Sequence, residues 1–241
     1  MRFSSSFFSI IVATLGLQIA AYASAGDWEM MSDEAGLKTY RKEVEGSPVV
    51  AFKGETEINA SVPVVMQILS DPTLRKEWIA HLKESTNLKQ VSKSERIEYN
   101  HTGAPWPLKD RDFVYTVKAD LDNEKKECRI LLQSIEDANY PPKSDKVRGQ
   151  IVFGQYIVRA IDGGKRTWLS VEIQADPKGA VPTWVVNLFQ KSWPRKTLEN
   201  IKKIVARNNT APHPDVKPWF DALFAAPAPS ASANPSPLAQ H

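Results

Sequence analysis

The chain of 241 residues contains a single cysteine, Cys128, so no disulfide can form within it and no multi-thiolate metal site can be built. Histidine is nearly as scarce. His81, His101, His213 and His241 are the four, and none stands at metal-ligand spacing from another. The eleven glycines form neither Gly-x-Ser-x-Gly nor a phosphate-cradling Gly-x-x-x-x-Gly-Lys, so neither a nucleophile elbow nor a P-loop is present. Charge of one sign is also missing. With 31 Lys and Arg against 28 Asp and Glu, the net charge is +3, and no basic stripe interleaves with aromatics as a nucleic-acid groove requires. These gaps leave no metal and no cofactor to expect, and catalysis loses its usual groups.

Long apolar runs are absent except at the start. Arg2, the apolar stretch from Phe7 to Ala21 and the small residues Ala23-Ser-Ala25 have the order of a secretory signal, with cleavage expected after Ala25. The stretch is shorter than the roughly 20 residues that span a bilayer. An exported product, periplasmic or secreted, is the expectation. The far end is the opposite kind of sequence. Residues 208–241 include Ala225-Ala-Pro-Ala-Pro-Ser-Ala-Ser-Ala-Asn-Pro-Ser-Pro237, which cannot bury enough to repay its ordering entropy and reads as a mostly disordered tail. Trp219, Phe220, Leu223 and Phe224 interrupt it at helical spacing, either as a short helix docked on the domain, the expectation here, or as a sticky surface peptide.

Residues 26–207 remain, enough for one domain with its own core. Alternating residues at 37–44 and 49–58 predict strands. Ser61 then stands as a helix N-cap before Val62, Val65, Met66 and Leu69, and a second short helix is expected over 73–82. Strands follow over 88–91, 96–102, 112–120, 128–135, 147–161 and 167–175, the last two joined at Asp162-Gly-Gly164. Cys128 alternates with Ile130 and Leu132, which predicts a buried, inert thiol. A long amphipathic helix over 181–205 closes the domain. Its apolar face holds Trp184, Val185, Leu188, Phe189, Leu198, Ile201, Ile204 and Val205, and Pro194 should kink or locally open it. Strands, two helices, more strands and one terminal helix make an α+β fold. The helix-grip arrangement fits: a curved antiparallel sheet wrapped around the long C-terminal helix, with a cavity between them.

The run Asn100-His-Thr-Gly-Ala-Pro-Trp-Pro-Leu-Lys-Asp-Arg-Asp-Phe-Val-Tyr115 resembles the matching segment of StAR-related lipid-transfer (START) domains. Leu74-Arg-Lys-Glu-Trp78, Gln155-Tyr156 and Asp176-Pro-Lys-Gly179 leading into Pro182-Thr-Trp-Val-Val-Asn187 carry the same resemblance in order along the chain. It implies a carrier that binds a lipid in an internal cavity, most like the family's phosphatidylcholine-carrying members. By the resemblance Arg75 is the head-group anchor, and Trp78, Asn100, Phe113 and Tyr156 line the site. Asn100 stands where those members have an aromatic residue, and Ile79 where they have an acid. An amide offers a choline no π face, so a phospholipid with another head group and a sterol-like lipid both stay open.

A carrier also needs an entrance. Trp106 between two prolines is expected to move as a rigid gate element and touch a membrane surface transiently, with Trp193 and Pro194 as its counterparts on the helix. The expected partners are thus a lipid and a membrane surface, for a monomer. Two alternatives stand beside the carrier: a cavity enzyme of the cyclase or hydrolase type, using His101 or Asp112 as base, and a sensing or interaction module of the cell envelope.

Overall fold

A computed structural model describes residues 27–225 of the chain, with the side chains at 183–185 and 187–190 left out. The expected signal, the tail from Ala226 and the side chains of Trp184, Val185, Leu188 and Phe189 therefore lie outside the described residues.

Period-two patterning dominates, and ten strands result: β1 (Glu29–Glu34), β2 (Leu37–Lys42), β3 (Ala51–Ile58), β4 (Leu82–Gln90), β5 (Glu95–Thr102), β6 (Arg111–Asp122), β7 (Glu127–Ser134), β8 (Val147–Arg148), β9 (Gln150–Ile161) and β10 (Arg166–Asp176). They form one sheet in the order β1-β2-β3-β10-β9-β7-β6-β5-β4, with β8 attached in parallel to the start of β6. Every other pairing is antiparallel. Register shifts near Met30 and Gln174 and twice in β4 mark bulges, which raise local twist and curl the sheet.

Four α-helices stand among the described residues: α1 (Val62–Ser70), α2 (Arg75–Trp78), α3 (Thr183–Ala206) and α4 (Lys217–Phe224). α1 and α3 lie on the concave face. The core sits between them and the central strands, where Ile58, Val65, Ile68, Val158, Leu169, Leu198 and Ile201 are fully buried. Each such side chain contributes about 1.5–3 kcal/mol when taken out of water. The helix-grip expectation holds.

Several local expectations are corrected. The second helix is only Arg75–Trp78, because the chain turns at Ile79 and Leu82 already opens β4, an edge strand longer than the expected 88–91. Ser61 sits at the N-cap of α1, but its side chain makes no capping bond. α3 runs unbroken through Pro194, which is buried against Gly54 of β3. The expected tail is not disordered throughout. Residues 208–225 fold back on the domain, where the His213 amide bonds the Pro63 carbonyl, Val216 enters the core and Trp219 Nε1 bonds Asn123 Oδ1 at 2.7 Å.

Candidate functional site

Pleating puts alternate residues of the inner strands on the concave face. On β5 these are Arg96, Glu98, Asn100 and Thr102, and across the ladder Glu98 faces Tyr115, Asn100 faces Phe113 and Thr102 faces Arg111. They wall a cavity of about 220 Å³ between sheet and helices. Val117, Ile130, Leu132, Ile151 and Tyr156 supply an apolar side, and Val186 and Trp193 of α3 close it. A water molecule needs only about 10–15 Å³ of such space, so the cavity takes a far larger guest. Gly103, Ala104, Pro105 and Leu108 of the β5–β6 loop form one end.

The other end is charged. Arg75 of α2 is 1% exposed, and its guanidinium meets Glu98 Oε1 at 2.6 Å, Asn87 Oδ1 at 2.8 Å and Ser85 Oγ at 3.1 Å. Glu98 also receives Arg96 Nε on Oε1 at 2.5 Å and the Tyr115 hydroxyl on Oε2 at 2.9 Å. Burial, with Glu98 beside it, raises the Tyr115 phenol well above its ordinary value, so it stays a donor. Burial raises Tyr156 as well. Trp78 packs edge-to-face on Tyr156, ring centroids 6.0 Å apart, with its indole N–H on the Ile68 carbonyl at 3.1 Å. Beside this cluster Asn100, 8% exposed, keeps a buried Oδ1 without a hydrogen-bond partner.

All five residues expected to bind ligand, Arg75, Trp78, Asn100, Phe113 and Tyr156, line this one cavity. Arg75 spends its donors on the protein, however. Glu98, Arg96 and Tyr115 were missed, although a strand reading Arg-x-Glu-x-Asn puts charge on its inner face and carries the signal. Trp193 is half-buried on the cavity wall, whereas Trp106 is 93% exposed at the tip of the β5–β6 loop.

That loop is held at its base. The Asp110 carboxylate takes Lys83 Nζ at 2.7 Å, His101 Nε2 at 2.7 Å and the Ala104 amide at 3.0 Å, and the Lys83 bond leads in holding it well below the usual carboxylate range. Arg111 ties the loop to the segment before α3 through the carbonyls of Lys109, Pro177 and Lys178. Asp112 faces the other way and is bound by Arg148 at 3.0 and 3.1 Å. The two candidate bases thus lie away from the cavity, His101 hydrogen-bonded to Asp110 and Asp112 paired with Arg148. Cys128 is buried, and burial pushes its thiol up to about 12. Among the described residues no cluster of His, Cys, Asp or Glu could hold a metal ion.

The family model of the START domain matches residues 13–209. This chain belongs to the START domain family. An uncharacterized protein of Pseudomonas aeruginosa is 27% identical over 192 residues, covering 80% of this chain and 93% of that one. Mouse phosphatidylcholine transfer protein is 26% identical over 183 residues, covering 75% of this chain and 84% of its own length. The crystal structure of a STAR-related lipid transfer protein from Xanthomonas axonopodis, 26% identical, superposes with a TM-score of 0.66 over 74% of this chain and 98% of that fragment. The helix α4 lies beyond the end of the family match, beside the turn between β9 and β10. Phe220 and Phe224 pack there on Gly164, whose φ of +90° suits glycine.

Proposed function

We propose that this START domain binds a lipid in the cavity between its sheet and α3 and carries it through an aqueous compartment. The observation that carries this reading is a mostly apolar cavity between sheet and helices, in a chain similar to named lipid-transfer proteins. Holding acyl chains away from water is worth about 0.8 kcal/mol per CH₂, so a carrier needs a dry cavity and an entrance rather than reacting groups. Arg75, Trp78, Asn100, Phe113 and Tyr156 form the binding wall in this proposal. The β5–β6 loop is the gate, with exposed Trp106 as its contact with a membrane surface. Export, supported by the basic start, short apolar run and small-residue site at 1–25, would place the carrier in the periplasm or outside the cell.

Purified full chain is extracted with organic solvent and the extract analysed by mass spectrometry, alongside a liposome-to-liposome transfer assay. A stoichiometric lipid and protein-dependent transfer are expected. An extract free of lipid, with transfer no faster than in buffer, overturns the reading. N-terminal sequencing of exported material should begin at Gly26; an intact Met1 would overturn cleavage.

A further inference from the structure

The family match ends at residue 209, and residues 210–225 continue as a strap across the domain. Since β6 runs from the β5–β6 loop to the turn holding Asn123, the strap lies at the end opposite Trp106. Its anchors are few: the His213 amide on the Pro63 carbonyl at 2.9 Å, Val216 in the core, Trp219 on Asn123, and Phe220 and Phe224 against Gly164. His213 is the joint. Its amide grips α1, and its carbonyl accepts the Val216 and Lys217 amides at 3.2 and 2.9 Å, which opens α4. Its ring Nδ1 accepts the Asp215 amide at 3.2 Å. Only a neutral imidazole, with its proton on Nε2, can accept there, because an imidazolium carries N–H on both nitrogens.

We propose that His213 makes this strap an acid-released clasp: protonation of the ring undoes the joint between α1 and α4, and the strap leaves the domain while the sheet stays folded. Burial pulls the His213 imidazole below its ordinary value, with Arg96 of β5 acting in the same direction and Asp215 against it. The other neighbouring charges are answered or absent: Lys217 and Asp221 of α4 pair with each other, and α1 has no charged residue. The undocked strap therefore binds the proton more readily than the docked one. Docking is at full strength above about pH 6.5 and weakens as the pH falls below it. Release would also cut the tie at Pro63, the N-terminal end of α1, whose other end puts Leu69 on the cavity wall.

The test is amide exchange on the full chain at about pH 7.5 and about pH 5, read by mass spectrometry and divided by the intrinsic rate at each pH. Protection of residues 213–224 should fall roughly threefold to tenfold at the lower pH, the worth of a lost hydrogen bond. Protection of α1 should fall with it, while β6 and β9 keep theirs. His213→Asn puts an uncharged oxygen acceptor near the place of Nδ1 and should hold the strap equally at both pH values. Equal protection of the strap at both pH values in the parent overturns the inference, and the parent decides that even if the variant misfolds. The same loss in folded His213→Asn also overturns it, by assigning the titration to another group. Loss shared by β6 and β9 overturns it as acid unfolding of the whole domain. A released strap beside an unchanged α1 overturns the reach to the cavity wall. None of these readings needs bound lipid, so the carrier reading stands or falls separately.

Discussion

Two guanidinium groups and a phenol converge on the carboxylate of Glu98, and Arg75 on the far side is 1% exposed. Removing one member of a buried pair leaves the other charge without compensation, which costs about 3–5 kcal/mol. Glu98→Ala should therefore lower unfolding stability by that amount in urea titrations, whereas a double change to apolar residues of matching volume should cost far less. A loss below about 1 kcal/mol in the single variant would mean that Arg75 is solvated in solution. At this scale the sequence was informative about place and poor about partnership. Arg75, Trp78, Asn100, Phe113 and Tyr156 could be read from motifs, and they meet in one cavity. The ion pair between Arg75 and Glu98 joins a helix to a strand 23 positions later, and no local periodicity encodes such a contact. Asp112 makes the same point, since its partner is Arg148, 36 positions away, and not adjacent Arg111.

Among the elements, the legible ones have one buried face. α1, β6, β7, β9, β10 and α3 all pack a side into the core, so their apolar residues recur at the period of their structure. β1 and β4 are the two edges of the sheet, and neither buries a regular face, so β1 left no period-two signal and most of β4 was missed. Pro194 does not interrupt α3, where it packs on the sheet. That packing depends on Gly54. A Cβ there would stand 2.9 Å from Pro194 Cβ and 3.0 Å from Leu198 Cδ1, closer than side-chain carbons approach. Gly54→Ala should accordingly cost about 1–3 kcal/mol by overpacking and lift the middle of α3 from β3. Amide exchange in 190–200 should speed up in the variant; a melting temperature equal to the parent's would show that helix and sheet are not in close contact.

For the molecule as a whole, the decisive question is how a guest reaches a walled cavity. α3 is held along the sheet by fully buried Leu198 and Ile201, so moving it exposes core, whereas the β5–β6 loop is held at its base by ion pairs and carbonyl bonds. The exposed Lys83–Asp110 pair is worth about 0–1 kcal/mol, and the part-buried hydrogen bonds of His101 and Arg111 about 0.5–1.5 kcal/mol each. The loop is therefore the cheaper part to displace. It also carries Trp106, 93% exposed with a proline on each side, as an indole suited to a membrane interface. Burying a side chain of that size contributes about 1.5–3 kcal/mol, and half of it realised at the interface changes a rate roughly threefold to tenfold. Trp106→Ala should slow transfer from liposomes by that factor while stability stays within about 0.5 kcal/mol of the parent. The amount of lipid held at equilibrium should not change, because Trp106 does not line the cavity. Transfer as fast as the parent's would remove Trp106 from the gate; slower transfer with proportionally lower occupancy would place its effect on lipid binding instead.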